Sequence, residues 1–345
     1  MRVRVSYIIP VYNGEKHLVE CLDSLYQQGL PEESFEVICI DDCSSDSSVD
    51  ILKKYANAHS NVKLILNEQN KKTGSSCNCG LNNAKGDYLW IIGQDDWIEN
   101  NRCGELLDTA EAGQLDLLLF NYSQKKNRLS PTASEVEVFG NSPVMSGKEF
   151  VRFYFKDSFN FYLLGFEWRT LFRREFLMEK QICFPDETIY EDTTFLFRAL
   201  WYAGRVQSLR DFVYNYRINT ESVTAANKRY QGALAYEFAF VAGKEVLDLS
   251  EEIIGTPESS LLYQQALWYF KSFVYKVVPM PIREKMVFYG LVRRNWASVN
   301  SLIALCPIYV RCLANPIVGC FLTTMLKPAY MVKHSLHKKE YDRGI

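Results

Sequence analysis

The chain has 345 residues, of which 48% are hydrophobic and 23% are charged. This balance is typical of globular proteins and excludes disorder as the main state of the chain. The formal net charge is only -2, so the overall charge gives no indication of nucleic-acid binding. The length predicts one large domain or two domains of ordinary size.

The cysteines and the N-terminus predict the cellular compartment. The sequence has 10 cysteines but no CxxC pair, and only 4 histidines, so the spacing of a zinc site is absent. The first apolar run ends at the Tyr-Asn-Gly of residues 12–14, which is too short and too early for a secretion signal. We therefore expect reduced thiols and a cytoplasmic protein.

Strand and helix patterns alternate along the first part of the chain. Apolar, β-rich runs predict strands, and apolar residues at helical spacing predict the helices between them. Serines at residues 44–48 offer caps for the second helix. Repeated βα units of this length predict a mainly parallel sheet with helices on both faces. The predicted strands are 3–11, 35–40, 62–66 and 88–92, and the predicted helices are 15–28, 49–58 and 78–84.

The pattern changes further along the chain. Residues 115–122 predict a fifth strand, and the polar residues 123–147 predict a loop or an added hairpin. From about residue 227 onward the pattern is mostly helical. We therefore expect an α/β domain over residues 1–225, with halves 1–105 and 106–225, and a helical C-terminal region over residues 226–345.

The end of the chain combines an apolar segment with a basic tail. Residues 295–326 contain one charge, Arg311, and are interrupted by Pro307, Asn315 and Pro316. A spanning helix needs about 20 apolar residues, so the interruptions disfavour a span. An apolar segment beside basic residues suits the cytoplasmic membrane surface. A pair of core helices with a solvated tail is the alternative.

Polar and acidic residues follow three of the predicted strands. Ligands of open parallel sheets bind beyond the carboxyl ends of the strands. Tyr12 follows the first strand, Asp42 ends an acidic pair after the second, and Asp95 and Asp96 follow the fourth. Carboxylates held close together repel, and a divalent cation removes that penalty. The bland alternative is that these residues only form turns and helix caps.

No glycine-rich phosphate loop accompanies these acidic pairs. Neither GxGxxG nor GxxxxGK[ST] occurs in the sequence. The phosphates of a nucleotide would therefore have to be neutralised in another way, and a metal held by Asp95 and Asp96 is one that the sequence offers.

Six segments, taken together, resemble glycosyltransferase family 2, whose members are inverting enzymes with the GT-A fold. Their order and spacing over about residues 5–225 make the resemblance specific. The resemblance implies a GT-A fold, with a Rossmann-like, mainly parallel sheet, for the first domain. The segments are IIPVYNGE at 8–15, IDDCSSD at 40–46, GDYLWIIGQDD at 86–96, WRTLFRREF at 168–176, YEDTTF at 190–195, and YNYR at 214–217 with Ser222 and Thr224.

The resemblance also implies roles for individual residues. Tyr12 would pack on the nucleotide base, Asp42 would accept a hydrogen bond from it, and Asp95 would lie near the ribose and phosphates. Asp96, together with Asp95, would hold Mg²⁺ or Mn²⁺. The set implied to bind the nucleotide sugar is Pro10, Tyr12, Glu15, Asp42, Asn78, Asp95 and Arg217. Arg217 would contact a phosphate or belong to a lid, and pairing with a surface carboxylate is the alternative.

The second half of the domain would carry the catalytic base. Asp192 would be the general base, with Glu191 beside it, and Trp168 would lie at the edge of the acceptor cleft. Without the other motifs, Glu191 and Asp192 would read as a solvated helix start. The sequence departs from the family at two places: many members carry Asp where this chain has Gly93, and Arg where it has Cys77.

The function implied is transfer of a sugar from a UDP-linked donor to a hydroxyl of a glycan or a lipid-linked oligosaccharide, in surface-polysaccharide synthesis. The protein would be cytoplasmic, with its tail on the inner face of the plasma membrane and no nucleic-acid partner. One alternative is a sugar nucleotidyltransferase, which would need the glycine-rich phosphate segment that this chain lacks. The other is a catalytically silent nucleotide-sugar-binding protein.

Overall fold

The computed structural model describes residues 2–155, 166–185, 191–218 and 246–260, and a few single positions after them. The chain divides into two compact units, Met1–Asn219 and Thr220–Ile345. The predicted domain boundary after residue 225 lies outside the described residues.

Little of the second unit belongs to the described part of the chain. Residues 246–252 and 257–260 are helical, in agreement with the predicted helical C-terminal region. None of the helices that the structure describes is long and apolar enough to cross a membrane. The apolar segment 295–326 and the basic tail lie outside the described residues.

A sheet of nine strands organises the first unit. The strands pair in the order β3-β2-β1-β4-β8-β6-β9-β5, and β7 pairs with β6. β1, β2, β3 and β4 are parallel, as the sequence predicts, whereas β8 is antiparallel to both β4 and β6. The strands are β1 Val5–Val11, β2 Phe35–Asp41, β3 Val62–Leu66, β4 Tyr88–Ile91, β5 Trp97–Ile98, β6 Leu117–Lys125, β7 Ser134–Val136, β8 Thr170–Arg173 and β9 Val206–Arg217.

Seven α-helices and two 3₁₀ turns, Glu32–Ser34 and Glu167–Arg169, connect these strands in the described part of the first unit. The first helix buries Leu18, Cys21, Leu22 and Leu25, the spacing from which it was predicted. The helices are α1 Leu18–Tyr26, α2 Ser48–Ala58, α3 Lys72–Asn83, α4 Cys103–Ala112, α5 Gly147–Phe155, α6 Arg174–Glu179 and α7 Glu191–Tyr202.

α3 begins six residues before the predicted start at residue 78. The residues that it buries include Gly74, Ser76 and Gly80, which are small and give no apolar periodicity. Their size lets the helix approach the sheet closely, since a Cβ built on Gly80 would lie 2.3 Å from Cγ2 of Ile8. The prediction of the helix start was wrong because close packing of small residues replaced the usual apolar stripe.

The polar residues 123–147 form the hairpin that was one of the two predicted possibilities. β7 pairs antiparallel with the end of β6, with Tyr122 opposite Val136. The side chain of Asn121, which is fully buried, then holds the chain that leaves the hairpin. Its Oδ1 accepts hydrogen bonds from the backbone of Val138 and Phe139, and its Nδ2 donates to the carbonyl of Phe139.

Candidate functional site

The carboxyl ends of β1 and β2 form the edge where the sequence predicts ligand binding. The N–H of Asp42 donates to the carbonyl of Val11 at 2.7 Å, so the first acidic pair lies beside the turn that contains Tyr12. The Tyr12 ring is half-exposed at this edge. Tyr12 and Asp42 are therefore brought together, as the sequence predicts.

Gln94 joins the turn after β4 to the turn after β1. Its Oε1 accepts from the N–H of Tyr12 at 2.9 Å, and its Nε2 donates to the carbonyl of Tyr12 at 3.0 Å. Gly14 makes room for this contact, since a Cβ there would lie 2.4 Å from Oε1 of Gln94. Hydrogen bonds to the backbone at residues 11 and 12 thus connect the ends of the three strands at the predicted site.

Glu15 braces the turn after β2. Its Oε2 accepts from the N–H of Ser47, and its own N–H donates to Asp46, whose other oxygen accepts from the N–H of Ser48. The start of α2 is therefore capped by two carboxylates, and the side chain of Ser47 makes no cap hydrogen bond. Burial raises the pKa of Asp46, but hydrogen bonds led by those from Ser48 outweigh it, so the net pKa is lowered. The nucleotide contact predicted for Glu15 remains a prediction, as does that of Pro10 at the end of β1.

The carboxylate of Asp42 is held in one orientation. Its Oδ1 accepts from Nδ2 of Asn67 and from the N–H of Lys71, both at 2.8 Å. The residue is only 4% exposed. A buried carboxylate held in this way presents a fixed acceptor, which is what recognition of a base N–H requires.

Asn78 connects the two halves of the unit. Its Nδ2 donates to the carbonyl of Phe184 at 2.9 Å, and its Oδ1 accepts from the N–H of Phe184 at 2.8 Å. Cys77, where the family often carries Arg, is fully buried in α3. Asn78 therefore acts within the protein, and its predicted contact with the nucleotide sugar stays a prediction.

Asp96 is buried at the turn after β4, where its two oxygens have separate partners. Oδ2 accepts from the hydroxyl of Tyr214 and Oδ1 accepts from the N–H of Arg217, both at 2.7 Å. Burial, followed by the charge of Asp95, raises the pKa of Asp96 well above its ordinary value. Burial and Asp96 likewise raise the pKa of Tyr214, so the phenol remains a donor.

Arg217, at the end of β9, uses its whole guanidinium inside the protein. Nε donates to the carbonyl of Asp95 at 2.6 Å, and a terminal nitrogen donates to the carbonyl of Lys126 at 3.0 Å. The other terminal nitrogen pairs with the carboxylate of Glu20, and the group lies 4.7 Å from the ring centre of Trp97. These contacts favour a structural role over the phosphate contact that the sequence predicts.

Asp192 lies in the first turn of α7. Its Oδ2 accepts from the N–H of Phe166 at 3.2 Å, and Phe166 has a left-handed backbone with φ of 92°. A non-glycine residue in this region is costly, and such residues cluster at functional sites. The backbone of Glu191 begins the helix, and its side chain lies outside the described atoms.

Arg169 is a buried cation near the predicted base. Its guanidinium lies 4.9 Å from the ring centre of Phe139 and 5.7 Å from that of Phe166. Burial lowers the pKa of Arg169 to about 10, while the charges of Tyr122 and Asp192 act to raise it. The guanidinium therefore stays protonated at neutral pH, and its positive charge attracts the carboxylate of Asp192.

Trp168 is buried, with 8% of its surface exposed, and packs between the residues that hydrogen-bond to Asp96 and to Asp192. Its ring stacks on Tyr214 at 4.4 Å, contacts Phe166 at 5.1 Å, and meets Tyr122 edge-on at 4.8 Å. This aromatic cluster packs Trp168 on several sides. The predicted place of Trp168 at the edge of an acceptor cleft remains a prediction.

The carboxylates of Asp95 and Asp96 fit a divalent ion whose remaining ligands come from a substrate. Within the described ranges, no group of three or more His, Cys, Asp or Glu side chains could hold a metal. Mg²⁺ is commonly bound by one or two carboxylates together with substrate phosphates, and Mn²⁺ also takes oxygen ligands. Each carboxylate oxygen has a second lone pair, so the hydrogen bonds to Asp96 leave room for a ligand bond.

Four residues of the site received no role from the sequence. Glu20 is an ordinary charged residue in a helical stretch, and nothing in its local pattern marks it. Arg169 lies in the segment 168–176 that carries the family resemblance, but the resemblance gave it no role. Tyr214 lies in a segment that carries the family resemblance, so the motif was a signal without a role. Gln94 lies in the segment 86–96 directly before Asp95, and that position was the signal for a role in the site.

The sheet, together with the turn of residues 93–96 that carries Asp95 and Asp96 at its carboxyl edge, places the protein in the GT-A class of α/β proteins. The chain belongs to glycosyl transferase family 2, because the sequence model of that family matches residues 6–198.

Curated relatives agree with this assignment. EpsH of Bacillus subtilis (strain 168), named as a glycosyltransferase, is 32% identical over 235 residues, which are 67% of this chain and 64% of EpsH. TarS of Staphylococcus aureus (strain Mu50), named poly(ribitol-phosphate) beta-N-acetylglucosaminyltransferase, is 26% identical over 252 residues, 72% of this chain and 42% of TarS. The chain thus spans less than two thirds of either relative.

Solved structures share the fold. A crystal structure of S. aureus TarS 1-349 in complex with UDP-GlcNAc matches with a TM-score of 0.65 at 22% identity, covering 96% of this chain and 92% of that chain. The mannosyltransferase PcManGT from Pyrobaculum calidifontis, in complex with GDP-Man and Mn²⁺, matches with a TM-score of 0.51 at 15% identity, covering 97% and 87%. The predicted GT-A fold is confirmed.

Proposed function

We propose that this protein transfers a sugar from a UDP-linked donor to a hydroxyl of a glycan or lipid-linked oligosaccharide in surface-polysaccharide synthesis. The observation that carries the proposal is the presence of Asp95, Asp96 and Asp192 in one compact unit. Tyr214 hydrogen-bonds to Asp96, the N–H of Phe166 hydrogen-bonds to Asp192, and the ring of Trp168 packs between these two residues. Family membership and the nucleotide-sugar ligand of TarS support it.

The donor would be held at the carboxyl edge of the sheet. The half-exposed ring of Tyr12 offers a face for the base. The hydrogen bond to Oδ1 of Asp42 fixes its carboxylate, which supports the proposed role of Asp42 as the acceptor for a base N–H. The N3–H of uracil suits such an acceptor, which favours a UDP-linked donor. Asp95 and Asp96 would hold a divalent ion against the diphosphate. When bound, that ion supplies positive charge for the departing diphosphate.

Asp192 would remove the proton from the acceptor hydroxyl. The hydroxyl oxygen would attack the anomeric carbon from the face opposite the leaving group, and the nucleoside diphosphate would depart with the electrons of the broken bond. One displacement inverts the anomeric configuration. The positive charge of the buried Arg169 attracts the carboxylate that this role needs, and a positioned base contributes roughly 10²–10⁴ in rate.

The test is turnover by purified protein with a panel of nucleotide sugars and glycan acceptors, with and without Mn²⁺. We expect release of UDP from one donor and a product with inverted configuration by NMR. Asp192→Asn should remove turnover by a factor of roughly 10² or more while UDP binding persists. The matched control is Asp50→Asn, which changes an exposed carboxylate in the first turn of α2 and should keep full turnover.

Two outcomes would contradict the proposal. Retained activity in Asp192→Asn would remove the base from the mechanism. Binding of a nucleotide sugar without turnover by the unmodified protein, across the panel, would identify a catalytically silent binding protein instead.

The location proposed for the enzyme is the inner face of the plasma membrane. The support is the sequence of residues 295–345, in which an apolar segment precedes a basic tail. Deleting these residues should move the protein from the membrane fraction to the supernatant. Unchanged fractionation would rule out a membrane role for the tail.

A further inference from the structure

Tyr214 has a hydroxyl with two partners in the acidic turn. The residue is fully buried near the end of β9. Its hydroxyl donates to Oδ2 of Asp96 at 2.7 Å and accepts from the N–H of Gly93 at 3.0 Å. A single phenol therefore fixes both the side chain of Asp96 and the backbone at the start of the turn.

The glycine at position 93 makes this arrangement possible. A Cβ built on Gly93 would lie 2.8 Å from Oδ2 of Asp96 and 3.3 Å from the hydroxyl of Tyr214. The first distance is shorter than real Cβ atoms tolerate, so a side chain at 93 would displace the carboxylate or the phenol. The contact between Tyr214 and Asp96 thus depends on the absence of a side chain at position 93.

The ring of Tyr214 continues the connection toward the other carboxylate. It stacks on Trp168 with centroids 4.4 Å apart and planes at 19°. Trp168 lies 5.1 Å from the ring of Phe166, whose N–H holds Asp192. Asp96 and Asp192 are therefore joined by an unbroken series of hydrogen bonds and ring contacts.

We propose that Tyr214 is a positioning residue that orients the carboxylate of Asp96 through its hydroxyl. The inference rests on the proposed function, in which Asp96 faces the metal-bound diphosphate and Asp192 faces the acceptor. Groups that orient a metal-binding carboxylate commonly change metal affinity or activity by about 10–100-fold when they are removed.

The test compares Tyr214→Phe with Tyr88→Phe. Tyr88 is also a buried tyrosine, at the start of the central strand β4, and its hydroxyl donates to the carbonyls of Ala110 and Leu115 at 2.8 and 3.1 Å. Both variants lose one buried hydroxyl and keep the ring. Calorimetry measures UDP affinity with and without Mn²⁺, and the ratio of the two affinities reports the contribution of the metal.

We expect Tyr214→Phe to lower this ratio by about 10-fold or more while metal-free UDP affinity stays within about 2-fold of the unmodified protein. Tyr88→Phe should leave the ratio unchanged although its thermal midpoint falls. Gly93→Ala keeps the hydroxyl but crowds Asp96, so it should lower the ratio as well. It serves as the test if Tyr214→Phe fails to fold.

Each remaining outcome is informative. If Tyr214→Phe and Tyr88→Phe lower only thermal stability and leave the ratio unchanged, Tyr214 has a structural role alone and the inference is wrong. If the unmodified protein shows no Mn²⁺-dependent binding of UDP, the proposed donor site fails and the inference fails with it.

Discussion

Replacing Arg217 by methionine tests whether this residue holds the protein together or binds the nucleotide. The guanidinium is 4% exposed, and the change would leave the carboxylate of Glu20 without its cation. It would also remove the hydrogen bonds from the guanidinium to the carbonyls of Asp95 and Lys126. Breaking a buried pair costs about 3–5 kcal/mol, and the partial exposure of Glu20 places the expected loss near the lower end, at about 3 kcal/mol.

The expected change in thermal midpoint follows from this loss. A unit of this size shifts by about 2–4 °C for each kcal/mol, so Arg217→Met should unfold roughly 6–12 °C lower. Differential scanning calorimetry measures the shift. The control is Arg128→Met, because Arg128 donates to the side chains of Gln27 and Asn100 at the surface, so its loss should cost less than about 1 kcal/mol.

A second measurement separates the two roles of Arg217. If the guanidinium binds a phosphate of the donor, as the sequence predicts, UDP affinity falls while the thermal midpoint stays close to that of the unmodified protein. That result would refute the structural assignment. Adding Glu20→Gln to Arg217→Met should cost less than the sum of the two single changes, because the pair is coupled.

Three further predictions concern packing, acid sensitivity and a buried amide. Gly80→Ala should destabilise the protein by about 1–3 kcal/mol by overpacking, whereas Gly104→Ala, whose Cβ would have no atom closer than 3.9 Å, should stabilise by up to about 1 kcal/mol; equal midpoints in urea would contradict this. Burial raises the pKa of Glu99, but the hydrogen bond and charge of Lys125 outweigh it, so the folded pKa lies below 4.5. Its stabilisation is present above that value and lost as pH falls through the folded pKa, and Glu99→Gln should flatten stability against pH in this acid range. Asn121→Ala should cost about 3 kcal/mol by removing the partner of two buried and one partly buried backbone groups, and an unchanged urea midpoint would count against it.

The sequence predicts the parallel half of the sheet because β1, β2 and β4 are almost wholly buried and read as continuous apolar runs. β3 matches the predicted residues 62–66, and β1, β2 and β4 differ by two residues or fewer at each end. The long strand β9 and its pairing with β6 could not be predicted, since the partners are far apart in the chain and β9 alternates weakly. Long-range pairing depends on contacts that no local window contains.

The site was predictable where position along a strand decides it. Tyr12 and Asp42 meet because the ends of neighbouring parallel strands meet. Arg217 and Glu20 are different, because they lie 197 positions apart and their pairing follows from the fold as a whole. The buried environment of Arg169 is likewise a property of the surrounding rings, and the segment 168–176 does not by itself show that its second residue is buried.

The two hydrogen bonds between the side chain of Gln94 and the backbone of Tyr12 have a consequence for redesigning the position proposed to bind the nucleotide base. They take the place of the two hydrogen bonds that an adjacent strand would make. The backbone at Tyr12 is therefore held through its own N–H and carbonyl groups and not through its aromatic ring. Residue 12 can therefore be exchanged for a larger, smaller or polar side chain while the surrounding turn keeps its shape. If Tyr12 packs on the nucleotide base as proposed, substitutions at this one position should change base selectivity with little cost to the scaffold.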